Sequence, residues 1–408
     1  MSREVDEVSS TINNRPATKR QRTNEEPNGG ETIMQSDVLW LEESLYQSYL
    51  SRERLLELRD TARQLCTFGK GITACDESAS TLGQRFTQVG IADNTVENRR
   101  SYRTCLLDTP GIEQYLSGAI LDPETLLQKS CHTDGMFPHV LKGRGIIPGV
   151  KPHLKVYELP GTGGDTVMQG LDSLAVRARD YYRAGARFAK WRSPLVMDMT
   201  TTHKRPTLLT IQSNMKDLAR YALICQSEGL MPIVEPDIVL QGTHTLQEAV
   251  RTNIQVQSEL YKAMLEHGVY MAGCTLKPNM VLPGIDCPQS YTVEQLAQAN
   301  VFVMEQCFPA AMPGANYLSG GQSLEQALAR LNAINICAQE KKLPWNLSFS
   351  WSKAIQLPLL ETCVTQGNMD LDAIGKLYLK ELKLASDASK GQYTPPNTND
   401  GAHNGKHA

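Results

Sequence analysis

Lys277 is the residue of this chain best placed to act as a nucleophile. It closes the apolar run Gly273-Cys274-Thr275-Leu276, and Pro278-Asn279-Met280 follow at once. A free lysine titrates near about 10.4 and is an inert ammonium at neutral pH. Partial burial and a neighbouring cation both disfavour that charge and expose the amine. Lys190, two strands earlier in the arrangement read below, is the candidate neighbour. Such an amine condenses with a ketone to a protonated imine. The imine draws electrons from adjacent carbon bonds, so a carbon–carbon bond can break to leave an enamine. Making and hydrolysing the imine needs proton transfers, which suit Glu235. Cleavage needs a base on the leaving side, which suits Asp76, because a carboxylate near lysines stays ionised.

Anion-binding signals accompany the lysine. Ser319-Gly320-Gly321-Gln322-Ser323 precedes a helical stretch. Its glycines let backbone N–H groups approach an anion, and the helix amino end adds a favourable dipole. Lys353 can add a point charge there, and Lys151 and Arg192 can hold a second phosphate. A phosphorylated sugar is therefore the expected substrate. Each signal also has a plainer reading: Ser-Gly-Gly is often a simple turn, and a charge after an apolar run can merely begin a loop. No metal set competes, because the eight histidines (132, 139, 153, 203, 244, 267, 403 and 407) lack His-Glu-x-x-His spacing. His132 and His139 read as structural or solvated.

These residues fall in a repeating pattern. Eight short runs rich in small, apolar or β-branched residues occur: Gly71–Asp76, Gly118–Leu121, Ile146–Lys151, Phe188–Arg192, Pro232–Glu235, Gly273–Lys277, Ala315–Ser319 and Asn346–Ser350. Seven end at or beside Asp76, Lys151, Lys190 and Arg192, Glu235, Lys277, Ser319 and Ser350. The stretches between them read as helices. Thr166–Ala184 carries Leu171, Leu174, Ala178 and Tyr181 on one side; Thr245–Glu266 and Leu324–Cys337 show similar spacing. Strand and helix alternation predicts parallel strands with crossover helices. Eight units favour an α/β fold of the closed (β/α)8 TIM-barrel type over an open doubly wound sheet. A barrel would gather the polar run-ends at one mouth, where this fold places its active sites.

The expected boundaries are a disordered extension over 1–35, a short amphipathic helix over 36–54, the barrel over 55–385 and a flexible tail over 386–408. The helix reading rests on Val38, Leu41, Leu45 and Tyr49, with Ser36 or Asp37 as cap. The extension is polar and lacks apolar periodicity. Lys19-Arg20-Gln21-Arg22 within it reads as a solvated tail or as a nuclear-import signal. A net charge of −3 gives no general attraction for nucleic acid or acidic membrane. No apolar run approaches the roughly 18 residues of a transmembrane helix, and the acidic opening is not a secretory signal. The ten cysteines form no Cys-x-x-Cys pair and read as reduced thiols packed as small apolar groups.

Several segments together resemble a known family, the class I fructose-1,6-bisphosphate aldolases, over roughly Leu55 to Pro395. They are Gly69-Lys70-Gly71 leading to Ala74-Cys75-Asp76-Glu77-Ser78, Glu97-Asn98-Arg99-Arg100, Phe188-Ala189-Lys190-Trp191-Arg192, Pro232-Ile233-Val234-Glu235-Pro236, Leu276-Lys277-Pro278-Asn279-Met280 and Leu318-Ser319-Gly320-Gly321-Gln322-Ser323. The resemblance implies that Lys277 forms the Schiff base, that Asp76 is a catalytic acid/base, and that Glu235, with Lys190 beside it, handles carbinolamine dehydration. It implies that Ser319, Gly320 and Lys353, with Gly321, hold the 1-phosphate. Lys151, Arg192 and Thr81, with Ser78, would serve the 6-phosphate end. It further implies a metal-free, cofactor-free cytoplasmic enzyme of glycolysis and gluconeogenesis. Such an enzyme is usually a homotetramer and cleaves fructose 1,6-bisphosphate to dihydroxyacetone phosphate and glyceraldehyde 3-phosphate. This chain departs from the family pattern in places. Lys353 stands for an arginine, Trp351-Ser352 for a tyrosine-glycine pair, Ala272 for a glutamate and Gln84 for a lysine, and the last residues carry no tyrosine. Those departures leave room for an altered sugar-phosphate preference, or for a non-catalytic scaffold built on the same fold. Another Schiff-base barrel enzyme, such as a transaldolase or keto-acid aldolase, has no need of two phosphate sites.

Overall fold

Each of the eight runs forms a strand in the computed structural model, which describes residues 39–200 and 204–395. In chain order the strands are β1 (Gly71–Cys75), β2 (Leu116–Leu121), β3 (Ile147–Val150), β4 (Phe188–Leu195), β5 (Met231–Ile238), β6 (Thr275–Leu276), β7 (Gly314–Tyr317) and β8 (Asn346–Trp351). All pair in parallel with their neighbours in sequence, and β8 returns to β1, so the sheet closes into a TIM barrel. β6 is the shortest. Its ladder nevertheless extends one residue further, because the Lys277 amide donates to the Val234 carbonyl at 2.9 Å.

Helices surround the barrel. α1 (Leu39–Tyr46) and α2 (Arg52–Leu65) precede β1; α3 (Ala79–Gln88) and α4 (Val96–Leu107) lead to β2; α5 (Pro123–Leu126) and α6 (Phe137–Gly143) lead to β3. One helix precedes each of the next five strands: α7 (Leu174–Arg183), α8 (Leu208–Ser227), α9 (Leu246–Glu266), α10 (Val293–Cys307) and α11 (Leu324–Glu340). α12 (Lys353–Cys363) and α13 (Leu371–Ser389) close the chain's helical part. Their starts are written in the sequence. Thr245, Thr292 and Ser323 each accept the amide three residues on, and Glu248, Gln295 and Gln326 return the bond as capping boxes. Replacing such a cap by alanine costs about 1 kcal/mol.

The period-two alternation of a strand splits the core into two layers. Ile72 and Ala74 of β1, Ile120 of β2, Phe188 of β4, and Met231 and Ile233 of β5 form an inner cluster. Leu55, Leu58, Ala62 and Leu65 of α2 join it, so α2 plugs the amino end of the barrel. Cys75, Ala119, Leu121, Trp191, Val234 and Leu276, on the alternate positions, pack outward against the helices. Trp191 lies 5.3 Å from the ring of Tyr221 on α8. Gly149 is required where it stands, since a Cβ there would lie 2.3 Å from the Phe188 ring. With the interior floor apolar, the next inward positions are Asp76, Lys190 and Glu235, at the carboxyl end. All ten cysteines are free, and six are buried.

Three expectations need correction. Thr166–Ala184 is not one helix: Thr166–Met168 pairs antiparallel with Val156–Glu158, and α7 begins only at Leu174. β-branched Thr166 and Val167 favour the hairpin, and Gly170 and Ser173 adopt positive φ (124° and 59°) before α7 can start. Residues 36–54 are not one helix either. α1 ends at Tyr46, Ser51 caps α2 by accepting from the Arg54 amide, and α2 belongs to the barrel floor. Ser36, Asp37, Val38 and the cluster Lys19–Arg22 lie outside the described residues, as does the rest of the 1–35 extension. The tail boundary at 386 falls inside α13, where Ser386, Ala388 and Ser389 are buried. Their small size lets that last turn pack closely, which a reading based on polarity overlooks. Ser386 donates to the Gly69 carbonyl at 2.7 Å. Residues 396–408 lie outside the described part.

Candidate active site

A cavity of about 580 Å³ opens at the carboxyl ends of the strands. Every candidate residue named from the sequence lines it: Asp76, Ser78, Thr81, Lys151, Lys190, Arg192, Glu235, Lys277, Ser319, Gly320, Gly321 and Lys353. The chemistry concentrates at its base. Lys190 Nζ lies 2.8 Å from Asp76 Oδ2 and 3.0 Å from Glu235 Oε2, and Lys277 Nζ lies 3.4 Å from Glu235 Oε1. Lys190 and Lys277 are each only 4% exposed, and Glu235 only 3%.

This geometry separates the two lysines. Burial pushes the Lys277 amine down, Glu235 pulls it up, Lys190 pushes it down again, and the net direction is downward. Burial also acts against the Lys190 charge, but Asp76 and Glu235 outweigh it and the net direction is upward. Lys190 is therefore the fixed cation, and Lys277 is the amine that gives up its proton more readily. Burial raises both carboxyls as well. For Asp76 the charges of Lys190, Lys277 and Lys151 reverse that effect; for Glu235 those of Lys190, Lys277 and Arg192 do so. Both carboxyls are held below their ordinary range. Asp76 thus enters the site as a carboxylate able to accept a proton.

The wall residues differ in how freely they face the cavity. Lys151 Nζ is 2.9 Å from Asp122 Oδ2 and donates to the Asp76 carbonyl at 2.6 Å. Arg192 is held by Asp237 through Nη2 at 2.6 Å and Nε at 2.7 Å. Ser78 caps α3 by accepting from the Thr81 amide at 3.2 Å, and the two hydroxyls are 3.0 Å apart. Gly320 and Gly321 take positive φ, 59° and 87°, in the turn between β7 and α11. That turn is closed by Gln322, whose amide and side chain both donate to the Ser319 carbonyl. Lys353 opens α12, is exposed, and has no ion pair among the described residues.

Sequence reasoning missed the carboxylates that hold these cations. Asp122 directly follows β2, the one run given no polar end. Asp237 lies two residues after Glu235, on the same face of β5. Continuing the strand period would have found both. His153 was counted without a role, yet it lines the cavity beside Trp191, at 5.9 Å between ring centres. Burial, then Lys190, pushes its imidazole well below the ordinary range, so it is neutral at neutral pH. Glu77 and Arg85 also line the cavity and were not singled out for chemistry.

Comparison with known proteins shows the family and the fold. The family profile described as fructose-bisphosphate aldolase class-I matches residues 57–408. A fructose-bisphosphate aldolase of Dictyostelium discoideum is 42% identical over 340 residues, covering 83% of this chain and 93% of the relative. Fructose-bisphosphate aldolase 5, cytosolic, of Arabidopsis thaliana is 43% identical over 347 residues, covering 85% and 94%. The solved structure of fructose-bisphosphate aldolase from Plasmodium falciparum superposes with a TM-score of 0.81 at 40% identity, covering 85% of this chain and 98% of that one. The chain belongs to the class I fructose-bisphosphate aldolase family.

Proposed function

We propose that this protein reversibly cleaves fructose 1,6-bisphosphate to dihydroxyacetone phosphate and glyceraldehyde 3-phosphate through an imine on Lys277. The observation that carries the reading is Glu235 lying between two buried lysines, with one oxygen toward each. In the scheme, the Lys277 amine attacks the substrate ketone carbon. Glu235, next to that nitrogen, carries the proton that lets hydroxide leave the carbinolamine as water. The resulting iminium is the electron sink. Asp76 takes the proton of the hydroxyl on the carbon that becomes the aldehyde, and the carbon–carbon bond breaks to an enamine. Protonation of the enamine and hydrolysis of the imine release the ketose phosphate and restore Lys277. The lysine supplies the electron sink itself, so no step of the scheme calls for a metal.

Lys353 and the Ser319–Gly321 turn are assigned to one phosphate; Lys151 and Arg192, with Ser78 and Thr81 nearby, are assigned to the other. Lys353 supports this as an exposed cation without a protein partner among the described residues. The active form is assigned as a homotetramer in the cytoplasm, acting in glycolysis and gluconeogenesis. Its support is the family membership and the cytosolic relative; light scattering measures the oligomer. No helix among the described residues is long and apolar enough to cross a membrane.

Borohydride reduction in the presence of dihydroxyacetone phosphate tests the nucleophile. One adduct should form, and peptide mapping should place it on Lys277. An adduct on Lys190 or Lys151 would sink the assignment. Cleavage of the bisphosphate, read by coupled NADH oxidation, tests the reaction itself.

A further inference from the structure

Ser352 stands at the start of α12 but does not cap it: its side chain makes no bond to the helix amides, unlike Ser51, Thr245, Thr292 or Ser323 at theirs. Its hydroxyl turns instead to the cavity wall. There it accepts from Arg85 Nη2 at 3.0 Å and donates to Glu77 Oε1. Arg85 Nη1 meets Glu77 Oε1 and Gln356 Oε1, each at 3.0 Å. Gln356 is wholly buried and anchored by its own donation to the Ala74 carbonyl at 2.7 Å. Three of the five N–H donors of Arg85 are thus used within the protein, although the residue lines the catalytic cavity beside Lys353.

We infer that Ser352 is a specificity-determining residue that acts through Arg85, keeping the guanidinium bound to the protein and away from substrate phosphate. The inference rests on the proposed function for its substrate. A phosphate entering this side of the cavity meets Lys353 without competition. At three of the five Arg85 donors it meets competition from a hydroxyl, a carboxylate and a side-chain amide. The hydroxyl is the acceptor whose removal leaves the Glu77 ion pair standing, so it sets how much of Arg85 the substrate can reach.

Removing the hydroxyl should therefore strengthen phosphate binding. In Ser352→Ala, KM for fructose 1,6-bisphosphate should fall by about three- to tenfold, the size of the net contribution of one ordinary hydrogen bond. The change should fall on KM rather than on kcat. Ser352→Thr, which keeps a hydroxyl, should restore the original KM. Adding Arg85→Gln to Ser352→Ala should abolish the gain. Ser352→Gly removes the same hydroxyl with a different backbone and serves if the alanine variant fails to fold. Inorganic phosphate, titrated calorimetrically into the same proteins, reads the effect without turnover. If the unaltered protein does not cleave the bisphosphate, the proposed function falls, and the phosphate titration still decides this inference. An unchanged or weaker phosphate affinity in Ser352→Ala, or a gain that survives Arg85→Gln, would overturn it.

Discussion

Replacing Lys190 by methionine removes the cation held between the buried carboxylates of Asp76 and Glu235 while nearly preserving side-chain volume. In the unaltered protein Lys190 stands 2.8 Å from Asp76 and 3.0 Å from Glu235, at 4% exposure. Deleting one partner of a buried pair costs about 3–5 kcal/mol, because the remaining charge is left uncompensated. Here Lys277, Lys151 and Arg192 remain near the two carboxylates, so the lower end of that range applies. About 3 kcal/mol corresponds to about 2 pH units, so the acid limb of kcat/KM should move up by about that much. Because both carboxyls start below their ordinary range, a shift of that size leaves them ionised at neutral pH, so the loss of rate through protonation should be greatest at acidic pH and small near neutrality. Stability should follow the same sign. With Lys190 present, the depressed Asp76 and Glu235 contribute stability above the ordinary carboxylate range, and it is lost as pH falls through their folded values. In the variant the native carboxyls take up their protons at higher pH, so its deficit should narrow as the pH is lowered. The assays are a pH–rate profile by coupled NADH oxidation and thermal melts across acidic and neutral pH. An acid limb that does not move would refute the claim that Lys190 sets the ionisation of these carboxylates.

Lys353→Arg should lower KM for fructose 1,6-bisphosphate severalfold, because a planar fork can grip a phosphate that a point charge only attracts. An unchanged or raised KM would show that Lys353 does not face the phosphate. Removing residues 1–35 should leave kcat within about twofold, under about 0.5 kcal/mol of barrier. The described chain begins at α1, where the Tyr46 ring lies 5.1 Å from that of Tyr270 in the barrel-floor cluster, at the end opposite the cavity. A large loss of rate would contradict that placement.

The parts of this molecule legible in the sequence are those governed by local periodicity. Eight apolar runs, seven of them ending at or beside polar residues, were enough for the barrel, and Lys277 stood out because it closed one of them. The hairpin Val156–Glu158 with Thr166–Met168 was not legible, because Leu171, Leu174, Ala178 and Tyr181 continue a helical spacing backward past the point where Gly170 and Ser173 break it. α2 escaped for another reason. It is amphipathic, but that it plugs the barrel floor with Leu55, Leu58, Ala62 and Leu65 depends on packing between elements far apart in sequence. The tail was cut too early because Ser386 and Ser389 look polar, yet their hydroxyls are satisfied by backbone carbonyls and can be buried.

The same contrast explains which site residues were found and which were not. A residue that ends a strand is visible because the strand ends there. A residue that restrains it is visible only once the neighbouring strand is in register. Asp122 beside Lys151 and Asp237 beside Arg192 are of this second kind. They matter because a cation already bonded to a carboxylate is a weaker ligand for phosphate than its charge suggests: binding must disturb an existing pair. Three wall cations, Lys151, Arg192 and Arg85, are paired in this way, whereas Lys353 and Lys155 have no ion pair among the described residues. Counting positive residues would make the walls nearly equivalent. Counting what each already holds leaves Lys353 and Lys155 as the lining lysines most available to an incoming anion.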